Sequence, residues 1–259
     1  MSNYFIAFEG GEGAGKSTQA RLLAEALGTT PTRQPGGTEL GSSIRELFLA
    51  NPMPAKAEAL LMAADRAEHA VAIRGALDAG LNVVTDRYLY SSVAYQGFGR
   101  GLDPEYIRDL SLWATDNLQP DVVVYLTVPP DVAAERIAGR DLDRLETAGA
   151  EFHERVRRGF EAQYLQDQAQ NKRWVSVIGT GTEEEVARRV WDAVDQHIRR
   201  RMVVPGLTTP LGGVELPEND EASCPVCQHP RIEHGAMKGA HGEDGCRHPN
   251  CSCILTHGF

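Results

Sequence analysis

The sequence predicts an α/β domain, a parallel sheet flanked by helices, followed by a small metal-stapled C-terminal module. Three observations carry that prediction. Short apolar runs alternate with longer amphipathic ones through the first part of the chain, the pattern of a parallel sheet covered on both faces. Residues 10–17, Gly-Gly-Glu-Gly-Ala-Gly-Lys-Ser, fit G-x-x-x-x-G-K-[ST] between an apolar run and a helix-forming one. All five cysteines, with five of the eight histidines, fall between Cys224 and Phe259.

Taken in order, Tyr4-Phe5-Ile6-Ala7-Phe8-Glu9 reads as a buried strand and Thr18 to Leu27 as the helix after the loop. That strand–loop–helix context separates a phosphate-binding loop from a chance glycine-rich turn. Gly10, Gly11, Glu12, Gly13, Ala14, Gly15, Lys16, Ser17 and Thr18 form the predicted nucleotide-binding set. The glycines let backbone N–H groups point inward around a phosphate, and the helix N-terminus adds partial positive charge. Lys16 reaches toward the β/γ-phosphates and the Ser17 hydroxyl toward Mg²⁺. The motif implies binding of a nucleoside triphosphate. An Arg33-Gln34-Pro35-Gly36-Gly37 turn follows, then a helical stretch over 57–69. Asn82 to Thr85 reads as a buried strand ending in Asp86 and Arg87, and further strands are predicted over Val122–Val128 and Trp174–Ile178. Thr182, ahead of three glutamates, caps a last helix that ends in Arg199-Arg200-Arg201, a cationic turn that suits the helix dipole. Ligands of such sheets bind at the carboxyl ends of the strands, where the loop and Asp86-Arg87 both lie.

At 259 residues there is room for one domain of about 200 residues and an appendage. A net charge of −10 argues against a general nucleic-acid or membrane surface, so anionic ligands must be met by local arginines. No run approaches the roughly 18 apolar residues of a membrane span. The N-terminus enters a strand without a basic leader or apolar signal region, so a cytoplasmic location is expected. Residues 1–202 are read as the α/β domain, 203–222, rich in Pro, Gly and Thr, as a linker, and 223–259 as the module.

The loop, the Arg33 turn, the 57–69 helix, Asp86-Arg87-Tyr88 and Ser91-Ser92-Val93-Ala94-Tyr95-Gln96-Gly97, in that order and spacing, closely resemble the bacterial thymidylate kinase (dTMP kinase) family. The resemblance runs from about residue 4 to about residue 198 and implies a P-loop nucleoside monophosphate kinase fold. It further implies ATP- and Mg²⁺-dependent conversion of dTMP to dTDP, and a homodimer. Chemistry suits Asp86 to Mg²⁺, directly or through water, with a helix cap as the alternative. Arg87 and Arg33 suit the acceptor phosphate, because the planar guanidinium fork matches phosphate oxygens. The resemblance places Arg66 on the thymine carbonyl, Ser92 near its N3–H, Tyr95 against the deoxyribose, Gln96 near base or phosphate, and Glu12 at the sugar 3′-hydroxyl. Read from chemistry alone, Glu12 is an exposed loop acid. The segment 136–146, with Arg136, Arg140 and Arg144, resembles the mobile lid of nucleoside monophosphate kinases. Since the loop carries Ala14 and no arginine, the resemblance implies a lid-supplied catalytic arginine, Arg140 or Arg144, with a solvated charged helix as the bland alternative.

Three positions depart from the family pattern: Gln34 where a Glu is usual, Met62 where a Phe stacks on thymine, and Thr127 where an Asp ends the strand. Met62 still packs on a base but suggests a rival acceptor, a 5-modified deoxyuridine monophosphate. A reading of another class is an interaction protein with a degenerate nucleotide site; intact Lys16, Ser17, Asp86 and Arg87 argue against it. In the tail, Cys224-x2-Cys227 followed by a second thiol-rich cluster matches structural zinc spacing, and with few apolar residues the module needs such a staple. Cys224 and Cys227 are the firm ligands; two more come from His234, Cys246, Cys251 and Cys253. A disordered tail is the alternative, and a zinc module there would bind an unidentified protein partner.

Overall fold

Strand β1 (Phe5–Glu9) is the axis of the molecule, with all five residues buried. The computed structural model describes residues 3–139, 143–170, 172–202, 234–238 and 244–246. It contains two units, Met1–Gly206 and Leu207–Phe259. In the first, β1 pairs in parallel with β3 (Val83–Asp86) on one side and β4 (Val122–Thr127) on the other. Two-residue β2 (Thr32–Arg33) and β5 (Trp174–Ile178) complete the order β2-β3-β1-β4-β5, every pairing parallel. The sheet needs apolar residues on both faces because helices cover both. Ile6 and Phe8 of β1 with Val122, Val124 and Leu126 of β4 pack on α1 (Lys16–Ala26) and α8 (Glu183–Met202). Phe5 and Ala7 face Ile73 of α3 (Ala55–Asp78), and Val123 faces Phe152, Val156 and Phe160 of α7 (Ala150–Gln170).

The remaining helices are α2 (Glu39–Ala50), α4 (Leu89–Ser92), α5 (Pro104–Ala114) and α6 (Pro130–Ile137). Their starts follow local chemistry: Thr38 Oγ1 accepts from Gly41 N, and Asp103 accepts from Glu105 N and Tyr106 N. Thr182 and Glu185 form the reciprocal cap expected for α8. α4 runs on into a π-helical segment, Val93–Gly99, that was not legible as such in the sequence. Its glycines allow close contacts, since a Cβ on Gly99 would lie 2.7 Å from the Phe152 ring and one on Gly97 3.1 Å from Pro104 Cα. Among the described residues no helix is long and apolar enough to cross a membrane.

In the second unit β6 (His234–Lys238) pairs antiparallel with β7 (Asp244–Cys246), with His234 opposite Cys246. The expected linker and Cys224, Cys227, Cys251 and Cys253 lie outside the described residues. Among the described residues no three His, Cys, Asp or Glu gather as a metal cluster.

Glu9 ties the sheet to the chain that follows β3. Its buried carboxylate accepts from Tyr88 N (2.9 Å), Ser91 N (3.2 Å) and Ser91 Oγ (2.6 Å). Burial pushes its pKa up to about 7, although these donors and Arg87 oppose the rise. In the unfolded chain the same carboxyl ionises near 4.5. Between those values the fold holds a proton that the unfolded chain has lost, so this contribution to stability falls as pH rises through the window. We expect Glu9→Gln to flatten the pH dependence of stability between about pH 4.5 and about pH 7, by on the order of 3 kcal/mol. Urea titrations across that range check it; equal slopes in the two proteins would refute it.

Candidate active site

One cleft of about 790 Å³ opens along the carboxyl edge of the sheet, with the phosphate loop at its floor. Gly10, Gly13 and Gly15 take φ of 144°, 71° and 91°, which an L side chain rarely adopts. A Cβ on Gly13 would also meet Ala133 O of α6 at 2.6 Å. The loop thus turns its backbone toward the cleft and feeds α1 at Gly15. Lys16 is buried and donates to Gly11 O (2.6 Å), with burial lowering its pKa. Ser17 Oγ donates to Asp86 Oδ2 across the gap from α1 to β3. Asp86 Oδ1 is buried and, among the described residues, has no hydrogen-bond partner. An unused carboxylate oxygen beside a hydroxyl is a donor set that suits a hard cation such as Mg²⁺. Gly179, Gly181, Thr182 and Glu183 make the adjoining wall, where Gln19 Nε2 donates to Glu183 O (3.0 Å).

Arg87 stands at the junction of this floor with the second half of the cleft. It adopts φ 70°, unusual for a non-glycine residue, and its N–H donates to Phe8 O (2.9 Å). Its guanidinium donates to Glu12 Oε1 (2.5 Å), Tyr95 Oη (3.1 Å), Ser91 Oγ (3.1 Å) and Gly10 O (3.2 Å). Tyr95 Oη donates in turn to Glu12 Oε1 (2.5 Å). Burial alone would raise the Glu12 pKa, but Arg87 and Lys16 outweigh it and bring the carboxyl down to about 2. Arg87 is held above the ordinary arginine value: burial opposes its charge, and Glu12 overrides burial. Glu12 is therefore not the exposed loop acid that its chemistry alone suggested. The loop carries it toward β3, where it partners the half-buried Arg87.

The far half of the cleft is lined by Phe48, Met62, Arg66, Ser92 and Gln96. Arg66 is 2% exposed, and its three donating nitrogens meet neutral oxygens. Nε donates to Gln34 Oε1 (3.0 Å), Nη1 to Ser111 Oγ (3.0 Å) and Nη2 to Ser92 Oγ (2.5 Å). Gln34, the departure from the family pattern, is thus a direct partner of Arg66. Met62 packs against Ile44 and Phe48. Asp65 Oδ1 accepts from Gly36 N (2.9 Å), anchoring the Arg33 turn to α3, and the exposed Arg33 lines the cleft. Tyr95 and Gln96 are both on the π-helical segment, a geometry that is concentrated at functional sites.

Of the two lid arginines expected to be catalytic, Arg140 lies outside the described residues. Arg144 donates to Glu58 Oε1 (2.5 Å) and Phe48 O (3.2 Å), and its guanidinium lies 4.7 Å over the Phe48 ring, behind the base-side wall. Three residues that sequence reasoning gave no specific role also shape the site. Arg136, on α6, donates to Gly13 O (3.3 Å) and Gly179 O (2.8 Å), beside the phosphate loop. Arg45 donates to Pro35 O (3.2 Å) and lines the cleft. Glu58 is buried behind it. Arg136 was discoverable as the first arginine of the lid segment; Arg45 and Glu58 had no motif to mark them.

The thymidylate kinase family model matches residues 8–190. A thymidylate kinase of Synechococcus sp. (strain JA-2-3B'a(2-13)) is 47% identical over 201 residues, 75% of this chain and 95% of its own length. Those of Leifsonia xyli subsp. xyli (strain CTCB07) and Fervidobacterium nodosum (strain ATCC 35602 / DSM 5306 / Rt17-B1) are 45% and 43% identical, each covered over 95% of its length. These matches span the sheet and both halves of the cleft, and the chain accordingly belongs to the thymidylate kinase family.

Proposed function

We propose that this chain transfers the γ-phosphoryl group of ATP to dTMP, giving dTDP and ADP. The observation that carries this reading is the position of Arg87, in one cleft between a phosphate loop and a buried pocket headed by Arg66. Two anions must meet there, so catalysis is mainly positioning and charge compensation. Lys16 and the loop amides hold the donor phosphates, while Ser17 and Asp86 hold Mg²⁺. When bound, that ion neutralises charge developing on the β/γ oxygens. Arg87, assisted by Arg33, holds the acceptor phosphate, whose oxygen attacks the γ-phosphorus in line as the bond to ADP breaks. Glu12 and Tyr95 border the sugar. Arg66 and Ser92 address the pyrimidine edge, Gln96 lies nearby, and Met62 covers the base. Arg140 of the lid supplies charge to the transferring group, a reading supported by the pairing of the other candidate, Arg144, with buried Glu58.

A panel of monophosphates in a coupled ADP-release assay tests the reading, with dTMP expected to outpace dCMP, dGMP and UMP. Lys16→Ala should lower kcat at least about a hundredfold, since it deletes a cation aimed at the transferring group. Equal turnover across the panel would overturn the substrate, and preference for a 5-modified deoxyuridine monophosphate would favour the rival acceptor.

The proposal extends to a cytoplasmic homodimer and a zinc-stapled tail. Leu60 and Val71 of α3 and Tyr106 and Trp113 of α5 are exposed apolar side chains, between 61% and 77% accessible, which supports a self-association face on those helices. Cys224 and Cys227 with two of His234, Cys246, Cys251 and Cys253 are proposed as the zinc set, on the cysteine spacing. The module is proposed to serve an unidentified protein partner. Native mass spectrometry of the full chain should find two chains carrying one zinc each, and a chain ending at Met202 should keep the dimer and lose the metal. A metal-free full-length chain would refute the staple, and a single-chain mass would refute the dimer.

A further inference from the structure

Glu58 is one of the buried acids that the phosphoryl-transfer chemistry leaves unused. It lies on α3, one turn before Met62 and two before Arg66, and is 1% exposed. A buried carboxylate is retained only where donors compensate it. Here three donors arrive from two other parts of the chain. Arg100 grips it with a fork, Nε to Oε2 and Nη2 to Oε1, both at 3.1 Å. Arg144 Nη1 donates to Oε1 (2.5 Å), and Gln96 Nε2 reaches Oε2 at 3.5 Å.

The placement of these donors gives the acid its role. Arg100 follows directly on the π-helical segment that carries Tyr95 and Gln96, and its guanidinium rests 4.6 Å over the Phe152 ring of α7. Arg144 belongs to the root of the lid, whose neighbours Asp143, Leu145 and Glu146 line the cleft. Leu145 packs against the Phe48–Met62 cluster at the base pocket. One carboxylate therefore fixes the spacing between the π-helical wall and the lid root, with Phe48 and Met62 between them. Among the described residues Arg144 Nη2 has no partner, so Glu58 is the counter-charge that holds this guanidinium in the wall.

We propose that Glu58 is the positioning residue of the acceptor pocket, clamping the lid root to the π-helical segment so that the pocket closes around the nucleoside monophosphate. It touches neither substrate, and the phosphate loop does not depend on it. The inference rests on dTMP being the acceptor, which turnover by the unaltered protein tests separately.

The experiment measures KM for dTMP, KM for ATP, kcat and Tm in Glu58→Gln and Arg144→Met. Glu58→Gln keeps shape but removes the charge; it is expected to raise the dTMP KM at least about tenfold, with the ATP KM within about twofold. Arg144→Met, which leaves the Glu58–Arg100 fork intact, should move the same constant in the same direction and serves if Glu58→Gln does not fold. The two changes combined should cost less than the product of each alone. An unchanged dTMP KM in a folded Glu58→Gln protein would overturn the proposal. So would a joint rise of both KM values with a fallen Tm, or a fall in kcat at constant dTMP KM in Arg144→Met.

Discussion

Phosphoryl transfer between two nucleotides demands that cations be fixed in place before two mutually repelling anions arrive, and the Arg87–Glu12 pair is how this chain meets that demand. A half-buried guanidinium is partly desolvated and needs a counter-charge. Glu12 and Tyr95 supply compensation, while Ser91 and Gly10 O fix the direction of the fork. The backbone is equally determined: Arg87 leaves β3 with φ 70° while its N–H extends the ladder to Phe8 O. Behind it, Glu9 pins the next turn through Tyr88 N and Ser91 N. Two glutamates flanking the loop's first glycines thus hold one arginine and the turn that follows it. One is nearly fully buried and raised, the other paired and lowered.

The same logic repeats farther along the cleft. Arg66 is buried among neutral acceptors, Gln34, Ser92 and Ser111, so no hydrogen-bonded carboxylate offsets its charge there. Glu58, in contrast, absorbs two guanidiniums and leaves none of its charge directed at a ligand. α3 carries both residues two turns apart, one face serving as a recognition element and a brace. The cleft is therefore shaped by how each buried charge is compensated as much as by apolar packing.

Much of this was legible in the sequence where the constraint is local. A glycine-rich loop between a strand and a helix needs its glycines for backbone reasons, so the motif announced itself from residue types. The four longer strands were marked by short apolar runs, and the α8 cap by Thr182 with Glu185. What stayed hidden depended on residues far apart in the chain. Glu12 read as a loop acid because its partner Arg87 is 75 positions away. Glu58 had no motif to mark it, because its partner Arg144 is 86 positions away. The π-helical segment carries two glycines that an ordinary helix disfavours, and their contacts with Pro104 and Phe152 come from elements elsewhere in the chain. In the tail, the pairing of His234 opposite Cys246 depends on strand register, which cysteine spacing does not give.

The central claim is that Arg87 is the cation on which the acceptor phosphate rests, distinct from the donor site formed by Lys16 and the loop. Calorimetric titration of dTMP and of an unreactive ATP analogue into the unaltered protein and Arg87→Met tests it most directly. A half-buried, charge-assisted arginine–phosphate contact predicts that dTMP affinity falls about a hundredfold while the ATP analogue binds within a few-fold of the original. Undiminished dTMP binding by a folded Arg87→Met protein, or loss confined to the ATP analogue, would contradict the account.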